Sequence, residues 1–244
     1  RYSQTHAQKM PDAIATVGIT ESLITIVYAI SVGLSMATAA LVARRTGEKK
    51  KDAAVNAAFQ GILAGFAASL IIAVPGFIFA KELLIRMGIS ETIASEMSVY
   101  TAIMLGGNTV IMLLFIINAV FRSSGDAAIS MRVLWLANLA NIILDPVLIF
   151  GWGPIPAMGI AGAAIATLVG RGAAVVYQLY VLFFGNGRIR FYIRQLSIDL
   201  KVMLKLINIS LGGILQSIIA TTSWIFMVRI IAEFGSEVVA GYTI

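Results

Sequence analysis

The stretch I-S-M-R-V-L-W-L-A-N-L-A-N-I-I-L-D-P-V-L-I-F (129–150) carries one basic and one acidic residue among twenty-two. About twenty apolar residues cross the hydrocarbon core of a bilayer at roughly 1.5 Å per residue, so this run predicts a transmembrane helix. Five more runs of that kind flank it, at 13–43, 53–80, 91–121, 160–184 and 203–232. Composition agrees. Hydrophobic residues make up 59% of the 244 and charged residues 12%, against about 45–50% and 25% in a soluble globular chain. A water-soluble fold of this size cannot hide that much apolar surface, because about a quarter of the chain stays exposed. Disorder and a secreted disulfide scaffold are excluded as classes, and the composition argues against a soluble enzyme. Cysteine is absent, which removes thiolate metal sites. Period-2 alternation is missing, which argues against a membrane β-barrel. Small residues recur inside the spans, as at Gly61, Gly65, Ala68 and Ser69, and they let helices approach where lipid supplies no hydrophobic drive.

The net charge of +6 would hint at nucleic acid in a soluble chain. Here the basic residues sit in the gaps between spans. Arg44, Arg45, Lys49, Lys50 and Lys51 follow the first span. Arg122 and Arg132 flank the gap after the third, and Arg188, Arg190, Arg194, Lys201 and Lys205 follow the fifth. The alternate gaps hold Lys81 and Arg86, then none over 151–159. The positive-inside rule places 44–52, 122–128 and 185–202 in the cytoplasm. Both visible ends then lie outside, with 1–12 as a polar external segment and no secretory signal. The expected reason is a preceding helix not contained in the sequence. An echo supports this: S-E-V-V-A-G-Y-T-I (236–244) resembles P-D-A-I-A-T-V-G-I (11–19). A two-fold repeat of six helices would put spans two to six of one repeat here, followed by span one of the next; secondary transporters are commonly built so.

Polar groups inside spans are costly, at ~2.5–3.5 kcal/mol for a charge near mid-bilayer, and so point to function. Asn138, Asn141 and Asp145 recur at spacings of three and four, sharing one face. Asp145 lies about 24 Å along its span from Ile129. Pro146 frees the carbonyl of Ile142. A carboxylate, amide oxygens and a free carbonyl are hard ligands suited to Na⁺, and such a carboxylate could instead carry a proton. The plainer alternative is an Asp-Pro helix end with the Asn residues bonding neighbouring helices. Arg171 falls near the midplane of the fifth span, with Glu21 or Asp145 as candidate partners; a structural ion pair of Glu21 with Arg171 is expected. Arg229 can snorkel. Thr167, Gln178, Asn108, Asn118, Asn208 and Gln216 read as interhelical glue. Trp135, Trp152 and Trp224 read as belt residues, the ten Met residues as packing groups, and His6 as without a role. No catalytic constellation, P-loop or nucleotide fingerprint appears. The expectation is a protein that is not an enzyme, has no cofactor, and uses neither ATP nor nucleic acid.

Several segments resemble the multidrug and toxic compound extrusion (MATE) family. These are G-L-S-M-A-T-A-A-L-V-A-R-R-T-G-E-K (33–49), N-A-V-F-R-S-S-G-D (118–126), N-I-I-L-D-P-V-L-I-F-G (141–151) and G-I-A-G-A-A-I-A-T (159–167). The similarity runs from about residue 11 to 244. It implies an all-α polytopic bundle of twelve helices in two pseudo-symmetric lobes, with helices two to seven visible. On that reading 13–184 are N-lobe helices, 185–202 is a basic cytoplasmic inter-lobe linker, and 203–244 is the first C-lobe helix and the start of the next. The resemblance implies an inner-membrane antiporter exporting organic cations in exchange for Na⁺ or H⁺, with Asn141, Asp145 and Thr167 in the cation site. The family's first-helix Asp has no counterpart, and the span 203–232 has Gln216 and Thr221 but no acid before Glu233. Lipid-linked sugar and peptidoglycan-precursor flippases share the architecture. They would call for a broad cationic cavity faced by Arg171, and a Glu21–Arg171 pair would weaken that alternative. A further expectation is that a chain lacking the first helix and most of the second lobe does not transport by itself.

Overall fold

In the computed structural model, the backbone is described for residues 2–192 and 196–232, and side chains from residue 15 onward except 224, 225, 228, 229, 231 and 232. His6, Trp224, Arg229, Glu233 and the 236–244 echo therefore lie outside the described side chains.

Among the described residues eight helices follow one another: α1 (Tyr2–Gly47), α2 (Lys51–Ile78), α3 (Ala80–Arg86), α4 (Glu91–Gly106), α5 (Asn108–Ser124), α6 (Ala127–Phe150), α7 (Gly159–Phe184) and α8 (Leu200–Ala232). Among the described residues they make six segments long and apolar enough to span a membrane, Ala15–Gly47, Lys51–Ile78, Glu91–Ser124, Ala127–Phe150, Gly159–Phe184 and Leu200–Ser223. The six spans read from sequence are thus present. Two details differ. Helix α1 already begins at Tyr2, ahead of its apolar run, because hydropathy marks the lipid-matched length rather than the helix. The third span is two helices that meet at Gly107, whose N–H still bonds the Ile103 carbonyl at 2.8 Å. Leu168 of α7 packs where a side chain on Gly107 would stand.

Helix α5 is the hub, with Ile111, Met112, Ile116, Ile117, Val120 and Phe121 wholly buried. It packs on α1, α2, α6 and α7. Small residues set the other approaches. A methyl on Gly61 of α2 would strike Thr38 of α1, and one on Gly65 would strike Ile116. Ser69 and Thr109 share a hydroxyl hydrogen bond of 2.9 Å between α2 and α5. The glue reading also holds at Gln178 of α7, which donates to Asn118 Oδ1 of α5 at 2.9 Å, both buried.

The three basic gaps gather at one end. Gly125, at φ +94°, ends α5 in a left-handed turn, a conformation that glycine adopts without a Cβ penalty. Just beyond it Asp126 accepts the Arg188 backbone N–H at 2.6 Å. Gln60 of α2 donates to the Ser197 carbonyl at 2.6 Å, and Asp199 caps α8 by accepting the Val202 N–H at 3.2 Å. At the same end Lys50 and then Arg44 hydrogen-bond Glu48 and hold its carboxyl below the usual carboxylate range. Lys81 pairs with Glu91 at 3.4 Å at the opposite end. The gaps assigned to one side are therefore brought together, as strict alternation requires.

Candidate functional site

Helices α6 and α7 form an extensive antiparallel pair, and glycine allows their close approach. A Cβ on Gly162 would collide with the Leu148 carbonyl, and one on Gly170 would collide with Asn141 Oδ1. Ala166, fully buried, lies between these contacts on the same α7 face. Gly162 against Leu148 and Gly170 against Ala137 and Asn141 fix the register. That register carries Ala166 and Thr167 to the level of Asp145.

Asn141 and Asp145 are both half-buried. Asn141 Oδ1 and Asp145 Oδ1 are each shielded from solvent and each lack a hydrogen-bond partner among the described residues. Buried polar oxygens are rarely left so. Asp145 is inside α6, not at its end, since the helix runs through Pro146 to Phe150. Thr167 is half-buried and donates no hydrogen bond among the described residues. Asn138, on the same helix three residues before Asn141, is exposed. Three residues of α6 are buried, Ser130, Val133 and Ala137, all in its N-terminal half. The part that carries Asn141 and Asp145 thus rests mainly on α7. Beyond it, Gly151 at φ +79° turns the chain so tightly that a Cβ would strike the Ala157 N–H and the Ile155 carbonyl. The Met158 N–H then returns to the Leu148 carbonyl at 3.0 Å. This closed turn delivers α7 back along α6.

Arg171 is placed differently from the expectation. Its Nη1 donates to the Tyr28 hydroxyl of α1 at 3.2 Å, and no ion pair joins it to Glu21 among the described residues. Glu21 is exposed and lies within electrostatic reach of Tyr100 instead. The Tyr28 ring packs on Phe115 of α5, with centroids 5.8 Å apart. Sequence reasoning passed over Tyr28; the available signal was a phenol in an otherwise apolar stretch of the first span. Among the described residues no cluster of three His, Cys, Asp or Glu side chains forms a metal cage.

Six apolar helical segments packed antiparallel define a multi-pass membrane protein. The MatE family model matches residues 7–147, more than half of the chain, and the chain belongs to this family. It is 30% identical over 171 residues to the FAD transporter of Shewanella oneidensis, covering 70% of this chain and 38% of that one. It is 24% identical over 234 residues to the probable multidrug resistance protein YoeA of Bacillus subtilis, covering 95% and 50%. An outward-facing conformation of a multidrug resistance MATE family transporter of the MOP superfamily superimposes with a TM-score of 0.84 at 25% identity, over 96% of this chain and 51% of that one. The chain thus spans between 38% and 51% of the length of these proteins.

Proposed function

We propose that this chain is the ion-coupling part of a secondary antiporter of the inner membrane that exports small organic compounds, organic cations among them, in exchange for Na⁺ or H⁺. The observation that carries the reading is the pair of shielded, unpartnered oxygens on Asn141 and Asp145. A bare carboxylate in a low-dielectric setting costs several kcal/mol unless a cation or proton joins it. On this reading Asp145 supplies the charge, Asn141 an amide oxygen and Thr167 a hydroxyl. Cation occupancy favours one packing of the lobes and cargo the other. Residues 13–184 serve as the N-lobe, 185–202 as the cytoplasmic linker, and 203–244 as the start of the C-lobe. Similarity to a probable multidrug resistance protein and to an FAD transporter supports a small-molecule cargo.

A second reading, a flippase for a lipid-linked precursor, is favoured by one observation: Arg171 lacks the Glu21 partner that would have neutralised it. Efflux in everted vesicles, using the protein expressed from its complete gene, tests the proposal. A cationic dye should accumulate when a Na⁺ or proton gradient is imposed and stop when that gradient is collapsed. Accumulation that ignores both gradients would overturn it.

A further inference from the structure

We propose that Arg171 and Tyr28 form an anion-binding subsite in the transport pathway, which takes a phosphate or carboxylate group carried by the cargo. The inference rests on the transporter reading and deepens it, since it assigns a substrate chemistry.

Arg171 lies twelve residues from the Gly159 end of α7 and thirteen from the Phe184 end, or roughly 18 and 20 Å. That is beyond the reach of snorkelling to either interface. A guanidinium at such depth needs a counter-charge or a hydrated space. Its one hydrogen bond among the described residues goes to a neutral phenol, at 3.2 Å, and no carboxylate stands within ion-pair distance there. A guanidinium carries five N–H donors in a planar fork, so most of them are uncommitted. The fork matches the two oxygens of a carboxylate or phosphate, and Tyr28 steadies it from α1.

Position ties this cation to the pathway. Arg171 follows Thr167 by four residues and so shares its face of α7, about 6 Å further toward the cytoplasm. Beside Phe115, which packs on Tyr28, the space between α1 and α5 opens into a cavity of about 400 Å³ that extends to Arg122. The Ser35 hydroxyl on its wall is buried and has no partner. Arg122, also on the cavity wall, has no ion pair among the described residues either; Arg171 does not line this space but is linked to its wall through Tyr28 and Phe115. An anionic cargo could approach from the cytoplasmic end and meet Arg171 at mid-depth.

The test uses the protein expressed from its complete gene, held in phosphatidylcholine nanodiscs. Anisotropy of carboxyfluorescein and of ethidium gives an anion-to-cation affinity ratio. Arg171→Gln should lower that ratio about tenfold or more, the loss of a charge-assisted hydrogen bond. Arg171→Lys should lower it less, keeping the charge and losing the fork, and Tyr28→Phe should also lower it less. Displacement of carboxyfluorescein by soluble glycerol phosphate assigns the subsite to free anions. Displacement only when phosphatidylglycerol is added to the disc assigns it to lipid phosphate. An unaltered ratio in monodisperse Arg171→Gln, or no carboxyfluorescein binding by the parent protein in either disc, overturns the proposal. If Arg171→Gln fails to fold, an unaltered ratio in both Arg171→Lys and Tyr28→Phe does the same. The ion dependence of transport, which reports on Asp145, is read separately, so either proposal can fail alone.

Discussion

Asp145→Asn should lower ion-driven export by about 100-fold or more while the protein still reaches the membrane. The substitution keeps shape and hydrogen-bonding atoms but removes the charge. Asp145 Oδ1 is shielded and unpartnered in α6, so its energy depends strongly on whether a cation is present. Asparagine can neither take up a proton nor offset a bound cation's charge. A hundredfold loss corresponds to about 2.8 kcal/mol at 1.4 kcal/mol per decade. Folding should not suffer, because the neutral amide inserts more easily than the acid. The measurement is gradient-driven dye accumulation in everted vesicles, normalised to protein in the membrane. Accumulation equal to that of the parent protein would remove Asp145 from the mechanism.

The second large effect is expected at Gly162. A leucine there would drive its Cβ into the Leu148 carbonyl and the Ile149 N–H, which are backbone atoms and cannot rotate aside. Overpacking of this kind costs ~1–3 kcal/mol. Here the cost falls on a helix whose buried residues are Ser130, Val133 and Ala137, so α6 has little else to hold its outer half. Gly162→Leu should lower the melting temperature of the purified protein and abolish any rise produced by Na⁺ or by lowered pH, because separating α6 from α7 takes Asp145 away from Thr167. Ligand-induced stabilisation is the direct readout of an intact site. Gly172 on the same helix supplies the contrast. Nothing stands within 4 Å of a Cβ there, so Gly172→Ala should melt as the parent does or slightly higher. Equal melting of the Gly162 and Gly172 variants would show that the helix contact does not hold the site.

Much of this was legible from residue order. The spans follow from hydropathy, and the common side of the basic gaps follows from charge, because the bilayer imposes both. The Asn141–Asp145 spacing also put these two side chains on one face of α6, since four residues return a helix to nearly the same face. The break at Gly107 was hidden inside a continuous apolar run. The start of α1 at Tyr2 was hidden because polar residues can be helical too. Arg171 shows the harder limit. Matching depths suggested Glu21, yet the guanidinium meets Tyr28, two helical turns further along the same helix. Depth can be counted along a chain, but rotation about each helix axis is set by packing with the others, here by Phe115 against Tyr28.

The most direct test of the central claim is competition between cations and a hydrophobic carbodiimide at Asp145, followed by peptide mass spectrometry. Na⁺ is raised at fixed pH, and pH is varied without Na⁺. If Asp145 holds the coupling ion, at least one of these cations will control its modification, and Asn141→Leu will weaken that control. Modification of Asp145 that neither cation alters, or that Asn141→Leu leaves unchanged, would contradict it.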